Sequence, residues 1–350
     1  MRKEIDEQPV ALRQTLEGRI NDSNAVFDSL PDGVFADTNM VVFVACGTSY
    51  HAAMYGCILF QRRGIPAVAM RANEFEHDPM PLFDDTLVVA VTQSGETADT
   101  LGSLRVASKS PAQTLAITNV MGSSATRIAD QTLFLRSGPE IGVAATKTFS
   151  SQATILALLA NRMLQDRAEL PRSSSNELSE LHKLPKYIDQ VLSDGSSERI
   201  ARLYDSADSY FFVGRGVGYP VALEGALKFK EITYEHAEGF AAGELKHGPL
   251  ALITSGTVLI AVFTGRNDEK TLHNVREAQS RGAPVVGIGP PPTIEIRETV
   301  DEYIEIPETY SEYAGIVANV HLQLLAYHAA RLRGREIDKP RNLAKSVTVE

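Results

Sequence analysis

The sequence predicts an α/β protein made of two tandem, doubly wound parallel-sheet domains. Short apolar runs rich in Val, Ile and Phe alternate with longer stretches of helical period, the pattern of parallel sheets covered by helices. The runs also fall into two matching sets of four, offset by roughly 170 residues, which marks an internal duplication. Finally, the leading runs of each half end in turns that contain glycine and lead straight into helical periodicity, as βα units do.

Residues 1–25 read as a polar helical arm. The first domain, 26–165, opens with the strand 41–45 running into Cys46-Gly47-Thr48-Ser49. The strand 87–91 then runs into Thr92-Gln93-Ser94-Gly95. Strands 114–117 and 132–135 follow, and a long helix from about 144 to 164 closes the domain. Residues 166–197 are polar, with Pro171, Ser173-Ser174-Ser175 and charges at helical spacing, and predict an inter-domain helix with loops at its ends. The second domain, 198–334, repeats the plan with strands 210–213, 258–262, 284–288 and 303–306 and a helix from about 312 to 333. Residues 335–350 form a tail without clear periodicity.

The chain has 350 residues, 34 Lys+Arg against 44 Asp+Glu and a net charge of −10, so it offers no overall basic field for nucleic acid. The N-terminal residues lack the apolar core of a signal peptide, and no run reaches the roughly 18 apolar residues of a spanning helix. The expectation is a cytoplasmic protein with neither nucleic-acid nor membrane partners. Cys46 and Cys57 do not form a metal-ligand or disulfide framework and read as reduced thiols.

In open parallel sheets, ligands sit beyond the carboxyl ends of the strands near the switch in strand order. Gly47-Thr48-Ser49 and Thr92-Gln93-Ser94-Gly95-Glu96-Thr97 lie there, each combining glycine, hydroxyls and a following helix start. Such loops can hold phosphate with backbone N–H groups and hydroxyls alone. The plainer alternative is that Ser49, Ser94 and Thr97 only cap helices. Gly214-Arg215-Gly216-Val217-Gly218 departs from the dinucleotide fingerprint, and no cofactor or metal is expected. Glu224, Lys228 and Glu231 fall at i, i+4 and i+7 on one helix face, either as a solvated stripe or as catalytic groups. His247 lies in a turn closed by Gly248-Pro249, and Lys345 in the tail; position alone singles out neither.

Taken together, these segments resemble the isomerase half of the glutamine:fructose-6-phosphate amidotransferases, a family with the sugar isomerase (SIS) fold. The matching stretches are Cys46–Ser49, Gln93–Thr100, Glu140–Ala144 with Thr146-Lys147, Ala222–Lys228, His236–Glu238, Gly243–Leu252 and Leu343–Glu350. Lys3-Glu4-Ile5 with Glu7-Gln8-Pro9 also looks like the family's entry into this half. The resemblance implies two flavodoxin-like, three-layer αβα SIS domains. It implies that Gly47, Thr48, Ser49, Thr92, Gln93, Ser94 and Thr97 bind the phosphate of fructose 6-phosphate, and that Val143 and Ala344 line the sugar pocket. Lys345 would form a Schiff base with the C2 carbonyl, which requires the tail to fold over the site. Glu231 would carry a proton between C1 and C2, with Lys228 and Glu224 positioning or polarising these groups. His247 would assist ring opening from the partner subunit, so a homodimer with shared sites is implied.

Two departures stand out. Ala145 occupies a substrate-contacting position where the family commonly carries Ser. The chain also begins Met1-Arg2, with no Cys before Cys46, whereas the family's glutaminase half uses an N-terminal Cys nucleophile. The expectation is therefore amination of fructose 6-phosphate to glucosamine 6-phosphate, with ammonia from solution or from a separate glutaminase domain or chain. Glucosamine-6-phosphate deamination and hexose-phosphate isomerisation use the same imine and proton shuttle, and a non-catalytic sugar-phosphate sensor fits the same fold.

Overall fold

The computed structural model describes residues 1–21, 24–167 and 174–348. Pro171 and Ser173 of the predicted linker, and Val349 and Glu350 of the tail, lie outside the described residues. The first half runs α1 (Arg2–Asp6), α2 (Gln8–Leu16), β1 (Ile20–Asn21), β2 (Asn24–Ala25), β3 (Met40–Ala45), α3 (Gly47–Arg62), β4 (Ala67–Arg71), α4 (Ala72–His77), β5 (Thr86–Val91), α5 (Ala98–Ala107), β6 (Gln113–Thr118), α6 (Ser124–Ile128), β7 (Gln131–Phe134) and α7 (Lys147–Asp166). Next come α8 (Ser174–Leu181), α9 (Leu184–Leu192) and α10 (Ser196–Leu203). The second half runs β8 (Ser209–Gly214), α11 (Gly218–Thr233), β9 (Ala237–Ala241), β10 (Thr257–Val262), α12 (Asp268–Gln279), β11 (Val285–Gly289), α13 (Ile294–Thr299), β12 (Glu302–Glu305) and α14 (Ser311–Leu332), with two short 3-10 turns between β9 and β10.

These elements form two compact units. The first-sheet unit comprises Val10–Glu140, Lys147–Lys183 and Ala344–Glu350; the second-sheet unit comprises Met1–Pro9, Ile141–Thr146 and Leu184–Leu343. The first carries a five-stranded parallel sheet in the order β4-β3-β5-β6-β7, the second one in the order β12-β11-β10-β8-β9. Counted within each unit, both read 2-1-3-4-5, the doubly wound flavodoxin-like order, with the switch points at β3/β5 and β8/β10.

The central strands are apolar without interruption because both faces are covered. In the first-sheet unit, Val42, Val44, Val88, Ala90 and Ala116 pack on Phe75 of α4 and on Leu101 and Leu104 of α5. Alternation turns Phe43 to the opposite face, where it meets Phe60 of α3 edge-on at 5.1 Å between ring centroids. In the second-sheet unit, Phe211, Val213, Leu259, Ala261 and Val285 pack on Leu272 and Val275 of α12 and Ile296 of α13. Phe212 points the other way, toward Phe229 of α11 at 5.9 Å. Each unit is thus a three-layer sandwich. In both, a glycine lets two helices pack closely. A Cβ on Gly56 would lie 2.8 Å from Leu156 of α7, and one on Gly225 would lie 2.7 Å from Leu322 of α14.

Each sheet has five strands where the sequence shows four. The additional ones, β4 and β9, are edge strands and only partly buried, so neither carries the continuous apolar signature of a covered strand. The N-terminal arm is helical only to Leu16 and then forms the small antiparallel β1–β2 ribbon. The predicted linker helix is a succession of α8, α9 and α10. The long helix of the first half begins at Lys147 rather than near Ala144. Residues 141–146 belong to the other unit, where the Glu4 carboxylate accepts from the Ile141 and Gly142 N–H groups and the Val143 N–H donates to the Asp338 carbonyl. Among the described residues, no helix is long and apolar enough to cross a membrane.

Candidate active site

At the carboxyl ends of β3 and β5, the first-sheet unit presents two loops rich in hydroxyls. Gly47, Thr48 and Ser49 form the first turn of α3, ahead of the first intrahelical bond from the Tyr50 N–H to the Cys46 carbonyl, so the N–H groups of that turn face no carbonyl of their own helix. The Ser49 Oγ accepts from the Gln152 side-chain amide at 2.8 Å. In the second loop, the Thr92 Oγ1 accepts from the Gly95 N–H at 3.1 Å and the Ser94 Oγ from the Glu96 N–H at 3.1 Å. A hydroxyl has one proton to give and two lone pairs to offer. Each of these three hydroxyls is engaged as an acceptor, and these bonds do not use its O–H proton. Capping does not account for them. Ser49 lies inside α3, Ser94 closes a turn, and Thr97, the residue before α5, makes no side-chain capping bond. Gln93 is half-buried and holds the Asn119 N–H through its carbonyl. The one acidic residue of the loop, Glu96, is turned onto the Ser124 N–H, which holds its carboxyl below the usual range.

Gly95 fixes this loop. Its φ of +70° is the left-handed region, and a Cβ there would lie 2.1 Å from the Ser123 Oγ, so neither the conformation nor the space admits a side chain. Cys46, just before Gly47, is an inert thiol rather than a nucleophile: burial and the neighbouring Asp99 push it up. Burial likewise pushes Cys57 up to about 11.

The tail joins the same unit. The Ala98 N–H, first in α5, donates to the Val347 carbonyl at 3.0 Å, which docks the tail beside the Thr92–Thr97 loop. Ala344 begins this docked segment. Lys345 extends its Nζ to within 2.5 Å of Glu140 Oε2. The Glu140 side chain is fully buried and also accepts from the Thr148 N–H at 3.2 Å and the Thr148 hydroxyl at 2.8 Å.

In the second-sheet unit, α11 carries a buried charge cluster. The Lys228 Nζ lies 3.4 Å from Glu224 and 2.6 Å from Glu231; Lys228 and Glu224 are wholly buried, whereas Glu231 keeps an 18% exposed side chain. A solvated stripe is thereby ruled out, and Glu231 is the member of the cluster that meets solvent. His247 ends a 3-10 turn that Ala242 and Leu245 anchor in the core; it is itself exposed and is followed by Gly248 at φ +142°. Val143 and Ala145 are half-buried in the 141–146 segment of this unit. The loop after β10, the counterpart of Thr92–Thr97 in the repeat, is built differently: the Thr264 and Gly265 N–H groups donate to the Asp268 carboxylate at 3.1 and 2.8 Å. Its amides already hold an anion. Burial raises the Asp268 carboxyl despite those two donors.

The family model of the SIS domain matches residues 34–162 and 203–333, one match for each sheet. The chain belongs to the SIS domain family. Curated SIS relatives include the glutamine–fructose-6-phosphate aminotransferases (isomerizing) of Halobacterium salinarum, 49% identical, and Thermococcus kodakarensis, 45% identical, each match covering 100% of this chain. The chain spans 59% and 58% of their lengths. Among solved structures, the C-terminal domain of glucosamine-fructose-6-phosphate aminotransferase from Francisella tularensis is 34% identical with a TM-score of 0.90, covering 96% of this chain and 97% of that one. Glucosamine-6-phosphate deaminase from Thermotoga maritima is 26% identical with a TM-score of 0.76, covering 99% and 98%. The resemblance to the isomerase half drawn from the sequence therefore holds.

The SIS units divide the sequence-derived candidates into two groups. Gly47, Thr48, Ser49, Thr92, Gln93, Ser94, Thr97, Ala344 and Lys345 belong to the first-sheet unit; Val143, Ala145, Glu224, Lys228, Glu231 and His247 belong to the second-sheet unit. Two residues that the sequence reading assigned no role stand beside the first group, Glu140 on Lys345 and Gln152 on Ser49. Gln152 had a signal: it sits in a wholly buried helix segment with Thr148, Ser150, Ser151 and Thr154, where polar side chains need partners. Glu140 lies in a loop, where no periodicity marks it.

Proposed function

We propose that the chain converts fructose 6-phosphate and ammonia to glucosamine 6-phosphate, as the isomerase part of a glutamine–fructose-6-phosphate aminotransferase of the cytoplasm. The observation that carries this reading is the docked tail, which brings an amine, Lys345, into the unit whose loops offer hydroxyl protons and helix N–H groups to a phosphate. Ser49, Gln93, Ser94 and Thr97, with Gly47, Thr48 and Thr92, bind the phosphate group. Lys345 attacks the C2 carbonyl and forms an imine, and the imine acidifies the C1 hydrogens. Glu231, held by Lys228 and Glu224, then moves a proton between C1 and C2. His247 assists ring opening from a second copy of the chain; the exposed His247 side chain and the 59% exposed Leu252 beyond it suit burial by that copy. Val143 and Ala344 line the sugar pocket, and at Ala145 one side-chain hydrogen bond to the sugar is lost or made by water.

The test is incubation with fructose 6-phosphate and ammonium, with and without added glutaminase and glutamine, followed by borohydride trapping and peptide mapping. Glucosamine 6-phosphate formation and a label on Lys345 are expected; no product, or a label elsewhere, overturns the reading. The likeness to the Thermotoga maritima deaminase favours a second reading, net release of ammonia from glucosamine 6-phosphate. Faster turnover of glucosamine 6-phosphate than of fructose 6-phosphate at equal concentrations would select it.

A further inference from the structure

An amine that must attack a carbonyl is bonded here to a buried carboxylate. The Lys345 Nζ is 2.5 Å from Glu140 Oε2, and the Glu140 side chain is fully buried, whereas that of Lys345 is 22% exposed. A protonated ε-amino group has no lone pair to give. The lysine therefore has to lose a proton before it reacts, and within its unit Glu140 is the acceptor in contact with it. Thr148 pins this carboxylate through its N–H and its hydroxyl, so it is held in place when Lys345 moves.

We propose that Glu140 is the proton store for imine formation at Lys345, a role that rests on the imine reading above. Glu140 takes one proton from the Lys345 ammonium. The neutral amine adds to the C2 carbonyl, forming the N–C bond, and its second proton passes to the carbonyl oxygen to give a carbinolamine. Glu140 then returns its proton to the carbinolamine hydroxyl, which leaves as water while the nitrogen lone pair forms the C=N bond. The iminium keeps the lysine's third proton. The carboxylate is regenerated, and no outside oxidant, reductant or co-reactant is consumed.

The test is the Glu140→Gln variant, which can still accept from Thr148 but cannot store a proton. Trapping of fructose 6-phosphate on Lys345 by borohydride near neutral pH is expected to slow at least about 100-fold, within the range of general acid–base catalysis. Binding of inorganic phosphate, by calorimetry, should stay within about twofold of wild type. Raising the pH should speed trapping in Glu140→Gln far more than in wild type, because hydroxide then replaces the missing base; a purely structural role for Glu140 would not move that profile. If Glu140→Gln does not fold, Glu140→Asp serves, with slowed trapping and the same phosphate affinity expected. Wild-type trapping rates and an unchanged pH profile in either variant overturn the inference alone. Absence of any label on Lys345 in the wild-type protein overturns the imine reading beneath it.

Discussion

Gln152 donates its side-chain amide to the Ser49 hydroxyl at 2.8 Å, and this bond decides which way that hydroxyl's proton can point. Because Ser49 already accepts, its O–H is left to donate outward. Replacing Gln152 by Leu removes the bond and should weaken binding of inorganic phosphate about tenfold, the usual worth of one hydrogen bond. Gln152→Glu should do more. A carboxylate takes the Ser49 proton for itself and adds negative charge, so a loss of about 100-fold is expected. Calorimetric titration with phosphate checks both variants; equal affinity in Gln152→Glu and wild type would remove Ser49 from the phosphate site.

Lys228 holds two carboxylates, and both it and Glu224 are wholly buried. Removing one partner of such a pair strands charge away from water, at a cost of about 3–5 kcal/mol. Lys228→Met should therefore lower stability by about 3 kcal/mol in urea unfolding. The double variant Lys228→Met, Glu224→Gln should recover most of that loss. No recovery would mean that Lys228 stabilises by packing rather than by charge.

His321, buried in α14, shares a hydrogen bond of 2.9 Å between Nδ1 and the Ser197 hydroxyl. Its Nε2 has no hydrogen-bond partner among the described residues. Burial pushes it down from its ordinary 6.5 to about 4, and only the Asp194 charge opposes this. The unfolded chain takes up a proton near pH 6.5 that the folded one refuses until about pH 4. Stability from this group is full above about 6.5 and falls steadily toward pH 4, by about 3 kcal/mol in all at 1.4 kcal/mol per pH unit. Unfolding free energy measured across that window should slope less in His321→Gln than in wild type. Parallel slopes would assign acid lability to other groups.

Gly95→Ala places a Cβ against the Ser123 hydroxyl and forces φ +70° on a residue with a side chain. Gly33→Ala supplies the control, since Gly33 has φ +72° with nothing near its Cβ position. The control should cost about 1–2 kcal/mol of backbone strain. Gly95→Ala should cost more and should also abolish phosphate binding, whereas Gly33→Ala should leave binding intact. Thermal unfolding and phosphate titration separate the two effects.

The duplicated core was readable because its central strands are covered on both faces, so Val41 to Ala45 and Val258 to Val262 announce themselves as continuous apolar runs. The edge strands were not, since Ala237–Ala241 includes Glu238 and Gly239 on a half-exposed border. The same physics governs the site. Hydroxyl loops at strand ends and the i, i+4, i+7 charges of α11 follow from local spacing, but Glu140 reaches Lys345 across 205 positions of sequence, a distance that no local pattern spans.

Duplication of a fold need not double what it holds. In the loop after β5 the Thr92 and Ser94 hydroxyls accept from the loop's own Gly95 and Glu96 N–H groups, whereas the loop after β10 has its Thr264 and Gly265 amides on the Asp268 carboxylate. In the second copy a tethered carboxylate thus occupies the amides that correspond to those proposed to hold phosphate in the first. If the loop after β5 holds the phosphate as proposed, saturation with inorganic phosphate should reach one ion per chain, not the two that the twofold repeat suggests.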